Sequence, residues 1–312
     1  MPAVVLADRR HQRVPNRSPA NLASRPSARF ERARAPRWAA YAGPLISLLA
    51  AQPVAAYHEP GQEWTDRSAY ALRAGEFSLG LRHWAAGIVD QVNVGVNPIL
   101  WAVGPFFGTV VPNADLKVRD WFHERIAVSA SFGLVYLDGT KLLDSVAKDQ
   151  GAHGNLLSWN GKVTSSLLMS DALTAHLELN YVYAHVTGGS REVSFDGATI
   201  MSSLRMSALI EWRLTRVVAL RVAAGTLLYR QAPAVTVSYQ PDPRTMVDGE
   251  LHAGRPAPIG ACQVLPAIAL SGANVNFLVG AGYGYQWLPV LGLVLPHPGL
   301  VVDFDLFVRF QL

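Results

Sequence analysis

Polar and apolar side chains alternate residue by residue through most of the chain from Ala69 to its end. A period of two places successive side chains on opposite faces of a strand, whereas a helix would scatter both sets around its circumference. In Leu300–Leu312, Val302, Phe304, Leu306, Val308, Phe310 and Leu312 share one face; Asp303, Asp305, Arg309 and Gln311 share the other, and Phe307 breaks the pattern. Ala273–Trp287 sets Val275, Phe277, Val279, Ala281, Tyr283, Tyr285 and Trp287 against asparagines, glycines and Gln286. Leu173–Tyr183 and Arg125–Tyr136 repeat the pattern.

Ser158–Met169, Thr199–Arg213, Val217–Arg230, Glu76–Gly87, Gln91–Trp101, Asp115–Phe122 and Ala261–Leu270 bring the predicted strands to eleven. Several have 11 to 15 residues. Globular strands average about 5–6, and a tilted strand crossing a bilayer needs about 9–11. Connections alternate in length as well. Tight links fall at Ile88–Asp90, His123–Glu124, Ser170–Asp171, Thr215–Arg216 and Ser271–Ala273. Long ones fall at Ala102–Ala114, Asp138–Gly154, Gly188–Ala198, Gln231–Gly260 and Leu288–Pro298. Counting back from a last strand that ends in the periplasm puts every tight link on that side. An even-stranded barrel then needs one more strand, for which Ser68–Arg73 is the candidate. The expectation is a closed, antiparallel, up-and-down transmembrane β-barrel of about twelve strands over 68–312.

Composition agrees with a chain that distributes its apolar residues in small doses. Half the residues are hydrophobic and 16% are charged, yet no apolar run beyond the N-terminal region has the roughly 20 residues of a transmembrane helix. The formal charge of +4 belongs to the leader. Residues 1–56 hold nine of the 27 basic residues and two of the 23 acidic ones, which leaves 18 against 21 in the remainder. No argument for nucleic-acid binding survives that division. The single cysteine, Cys262, excludes an internal disulfide and reads as a small apolar filler.

Residues 1–37 are rich in Arg, Pro, Ala and Ser and lack apolar periodicity. An apolar stretch from Trp38 to Ala51 follows, then Gln52-Pro-Val-Ala-Ala56. A basic region, a short apolar region and small residues before the scissile bond make a signal peptide, with cleavage between Ala56 and Tyr57. The competing reading is a short membrane anchor. Residues 57–67 would form a periplasmic N-terminal segment.

Together these features resemble the bacterial outer-membrane β-barrel proteins, with a porin-like architecture and no subfamily identified. The terminal Asp303-Phe-Asp-Leu-Phe-Val-Arg-Phe-Gln-Leu312 is similar to the amphipathic last strand read by the barrel-assembly machinery, although it ends in leucine rather than an aromatic. The resemblance implies residence in the outer membrane among its lipid and lipopolysaccharide. Trp101, Tyr136, Trp159, Tyr181, Tyr183, Tyr285 and Trp287 would form an outer aromatic belt, and Trp212, Phe122 and Phe310 an inner one.

Period two alone also fits an inverted, soluble barrel or sandwich with its apolar faces inside. The leader, strand length and loop asymmetry favour lipid outside. The lumen would then be lined by Asp115, Lys117, Arg119, Lys162, His176, Glu178, Arg205, Glu211, Arg221, Asp303, Asp305 and Arg309, paired across the interior. No cofactor and no metal centre is expected. His176 and Glu178 are two potential ligands where zinc takes three or four, and Gly280-Ala-Gly-Tyr-Gly284 lies within a strand with no helix after it. Ser166 and His176 are the one nucleophile-and-base candidate. The leading functional expectation is a narrow transport channel with a mixed-charge lumen and no enzymatic activity. A non-conducting binding barrel with long outer loops comes second, and a lipid-modifying enzyme last. Gln231–Gly260 either extends its hairpin outward or folds into the lumen.

Overall fold

The computed structural model describes residues 67–312 apart from 142, 144–150, 191–194, 243–244, 253–256, 273 and 289–292. The leader and the Ala56–Tyr57 bond lie outside the described residues. Among the described residues, thirteen strands form one antiparallel sheet: β1 (Glu76–Gly80), β2 (Trp84–Val89), β3 (Val92–Val96), β4 (Asn113–His123), β5 (Ile126–Asp138), β6 (Ala152–Leu168), β7 (Leu173–Ser190), β8 (Phe195–Arg213), β9 (Val218–Asp242), β10 (Thr245–His252), β11 (Cys262–Ser271), β12 (Val275–Leu288) and β13 (Leu293–Gln311). A short helix α1 (Pro98–Val103) interrupts them.

Twelve of these strands close a ring, because β1 pairs with β13 and β8 with β9. Strand β10 stands outside the ring and pairs with the far half of β9, from Ala234 to Asp242. Within Gln231–Gly260 the paired strands therefore extend the hairpin outward, while Ala257 packs against Leu227 and Val294. All five links expected to be tight lie at the end of the barrel that also holds Gly75 and Leu312, which are bonded to each other by Leu312 N–H and Gly75 C=O at 3.0 Å.

Twelve staves are reached by a different route from the one expected. Glu76–Gly87 is not a single strand. It folds as the hairpin β1–β2, with Gly80 N–H donating to His83 C=O at 3.0 Å across the turn. Apolar parity changes at this point. Phe77, Leu79 and Leu81 face outward on odd numbers, then Trp84, Ala86 and Ile88 on even ones. Ser68–Arg73, expected as a strand, is none. Five consecutive residues, Ser68 to Leu72, are buried without alternation, as befits a segment inside the barrel rather than in its wall.

Gln91–Trp101 also ends early as a strand. Asn97 caps α1, its side chain accepting Ile99 N–H at 3.0 Å, with Pro98 at the first helical position. Strands β1, β2 and β3 have only five, six and five residues, whereas β6 to β9 have 17 to 25. The rim is low over β1–β3 and high over β6–β9.

Candidate functional site

Side-chain direction decides which solvent this barrel was built for. In β13, Val302, Phe304, Leu306 and Val308 point outward, with Val302 62% exposed, while Asp303 is 7% exposed and Arg309 is buried. Val275 and Val279 on β12, Val264 and Ile268 on β11, and Leu177 and Leu179 on β7 also face out. In water so much exposed aliphatic surface would be unstable, and in hydrocarbon it is the favourable face. The chain is a transmembrane β-barrel. Tight turns at one end and longer links at the other give it the orientation of outer-membrane barrels.

Neither a family model nor a curated protein matches the chain. Solved structures do. A deletion mutant of the TodX monoaromatic hydrocarbon channel aligns at 10% identity over 77% of this chain and 89% of its own, with a TM-score of 0.41. The Pseudomonas putida toluene transporter TodX aligns at 10% identity over 82% and 96%, with a TM-score of 0.33. OmpT of Vibrio cholerae, expressed in the outer membrane, aligns at 12% identity over 74% and 64%, with a TM-score of 0.33.

The interior of the barrel has two levels. At the level of the tight turns it is filled by the segment 67–74. Ala69 N–H donates to Ser166 Oγ at 2.7 Å, Leu72 N–H to Asn93 Oδ1 at 3.1 Å, Arg73 N–H to Glu76 Oε2 at 2.9 Å and Ala74 N–H to Asp90 Oδ1 at 2.9 Å. Tyr70 packs its ring 5.8 Å from that of Trp121 and edge-on to His176 at 6.1 Å. Burial pushes its phenol up to about 12, with opposing influences from nearby Arg213 and Glu211. Ser166 Oγ shares a 2.6 Å hydrogen bond with His176 Nδ1. The serine and histidine thus meet, but beneath the segment, where Ser166 is engaged by a backbone amide and fully buried. Chemically this is a seat for the segment.

Above it lies a cavity of about 770 Å³. Of the twelve lumen candidates, Asp115, Lys117, Lys162, Glu178, Arg205, Arg221, Asp303, Asp305 and Arg309 line it. His176 and Glu211 are buried in the wall below, and Arg119 reaches the inner rim, where Nη2 donates to Asp90 C=O at 2.7 Å. Lys162 and Glu178 stand 3.6 Å apart on β6 and β7, and Glu211 and Arg221 stand 3.4 Å apart at one register position of β8 and β9. Arg309 and Glu76 are 3.6 Å apart. Two further pairs, Arg82 with Asp303 and His83 with Asp115, the latter at 2.8 Å, come from the β1–β2 turn that an unbroken strand would not have contained.

Trp287 corrects the expected belt. The register of β12 against β13 shifts between Tyr285 and Trp287, and the indole lies inside the barrel, lining the cavity. It passes over Gly225, where any Cβ would overlap the ring. The guanidinium carbon of Arg205 lies 5.1 Å from its centre. Trp101 rides on α1 beside Trp84. Trp159 stacks with Phe132 and Tyr183, Phe310 with Phe77, and Phe122 and Trp212 stay exposed. Cys262 is exposed on the same face of β11 as Val264.

Proposed function

We propose that this barrel is a narrow channel for small polar solutes, held closed at its inner end by the segment 67–74. The supporting observation is the cavity of about 770 Å³, lined by ion-paired and amide side chains, directly above that segment. An interior filled only by packing would leave no such space, and one made for hydrocarbons would not place seven Lys and Arg residues and four Asp and Glu residues around it. Opening requires the segment to leave its seat, whose ring contacts centre on Tyr70.

The leader ending at Ala56 directs export; of the segment 57–67 expected in the periplasm, Arg67 lines the cavity instead. Strand β13 carries the signal for the barrel-assembly machinery, and the tall β6–β9 rim meets lipopolysaccharide. The oxygen-to-nitrogen contact of Ser166 and His176 serves closure, so no lipid-modifying reaction is assigned to it.

Planar-bilayer recording tests the reading. Mature protein should give discrete conductance steps, rarely open, and a variant lacking residues 57–74 should stay open. Silence of both proteins would overturn the channel. That result would favour the second reading, a non-conducting binding barrel, for which the buried segment itself speaks.

A further inference from the structure

Arg205 is held in the cavity wall in a way that its own protein does not complete. The residue is 3% exposed and lines the cavity. Its Nε and Nη2 have no hydrogen-bond partner among the described residues. These two N–H groups form one edge of the guanidinium, the fork that grips a carboxylate side-on with two parallel bonds. The guanidinium carbon lies over the Trp287 ring, 5.1 Å from the centre, a cation–π contact.

The surroundings add direction. Asn180 is the cross-strand partner of Arg205 on β7, and its Oδ1 is buried without a hydrogen-bond partner. Trp287 Nε1 is likewise buried and unpartnered, and both residues line the same cavity. Arg67, at the end of the closing segment that borders the cavity, lines it too and adds a like charge that acts on Arg205. The carboxylate of Glu178, which acts on Arg205, already stands 3.6 Å from Lys162.

We infer that Arg205 is an anion-binding residue of the lumen, and that the solute class is small hydroxycarboxylates. The carboxylate takes the Nε–Nη2 edge and relieves the repulsion from Arg67. A second oxygen acceptor meets Trp287 Nε1, and a hydroxyl donates to Asn180 Oδ1. A cation would meet the like charges of Arg205 and Arg67, which outweigh the single amide acceptor of Asn180. A neutral sugar would leave the Arg205 charge uncompensated. The cavity is of the size that holds such ligands, about 300–1,000 Å³.

This inference rests on the channel reading for its role in transport, and the experiment separates the two. Full mature protein is purified in detergent, titrated with sodium D-gluconate and with glucose by calorimetry, and then recorded in bilayers with gluconate added. Expected are binding of gluconate but not glucose, a gluconate-dependent fall in current, and weakening of both by about tenfold or more in Arg205→Gln, with partial rescue in Arg205→Lys, which restores charge but not the fork. Trp287→Phe, which keeps the ring and removes the indole N–H, should weaken binding less, and it provides a second reading if Arg205→Gln fails to give the fast-migrating folded band. Conductance that ignores gluconate in the native protein and in every variant would overturn the inference while leaving the channel. Gluconate binding that depends on Arg205, in a protein that never conducts, would uphold the site and overturn the channel.

Discussion

Arg205 on β8 and Trp287 on β12 meet inside the barrel, 5.1 Å from guanidinium carbon to ring centre, although β9 and β11 separate their strands in the sheet. The contact exists because Gly225 on β9 offers the indole a surface without a side chain. We predict that Gly225→Ala displaces the ring and destabilises the barrel by roughly 1–3 kcal/mol, the usual range for overpacking. Urea unfolding in detergent micelles reads the loss, and a shift in tryptophan emission reads the displacement. An unchanged spectrum would mean that Trp287 does not lie over this position.

The Glu211–Arg221 pair is buried in the wall at a single register position. Removing one partner of a buried ion pair costs about 3–5 kcal/mol in a dry site. Arg221 borders the cavity, so water reduces the penalty and about 3 kcal/mol is expected for Glu211→Ala. Glu211→Leu combined with Arg221→Met should recover most of the loss. Equal losses in the single and double variants would refute the pairing.

Closure depends on the seat of the 67–74 segment. Ser166→Ala removes the acceptor of Ala69 N–H, and Tyr70→Ala removes the ring between Trp121 and His176. Both should raise the open fraction in bilayers, Tyr70→Ala more strongly. Open fractions equal to those of the native channel would show that the segment is not the gate.

The same tyrosine gives a pH dependence. Its phenol titrates at about 12 when seated and at the ordinary 10.0 when released. The seated form therefore binds the proton more tightly, and its stabilisation is complete below pH 10 and is lost as pH rises toward 12. The open fraction should climb between pH 10 and pH 12, and Tyr70→Phe, with no proton to lose, should flatten that climb.

On the lipid face, Val279 lies mid-strand in β12 and points outward. Val279→Arg should lose about 2–4 kcal/mol in lipid vesicles, whereas Gly280→Ala tests the other face through its close approach to Ala267 and the β11 backbone. No loss on Val279→Arg would place this residue away from hydrocarbon.

Strand positions and the inward charges were legible because each is a local pattern: Asp303 or Lys162 follows from the parity of its neighbours. Three features escaped. The β1–β2 turn was hidden because polarity still alternates on both sides of it, and only the change from odd to even outward residues at Leu81 and Trp84 marks it. The seat of the 67–74 segment joins Ala69 to Ser166, 97 residues away, and no spacing announces a partner that distant. Trp287 obeyed the outward parity in sequence and was turned inward by a register shift near Tyr285. The helix after Asn97-Pro98 did carry a signal, a capping residue followed by proline.

Electron paramagnetic resonance on β13 tests the central claim most directly. Single cysteines at positions 302 to 308, in a Cys262→Ala background and spin-labelled in lipid vesicles, should alternate. Labels at Val302, Phe304, Leu306 and Val308 should collide with dissolved oxygen and be shielded from a water-soluble nickel chelate, and those at Asp303 and Asp305 should do the opposite. The reverse alternation, or none, would mean that the apolar faces do not meet acyl chains.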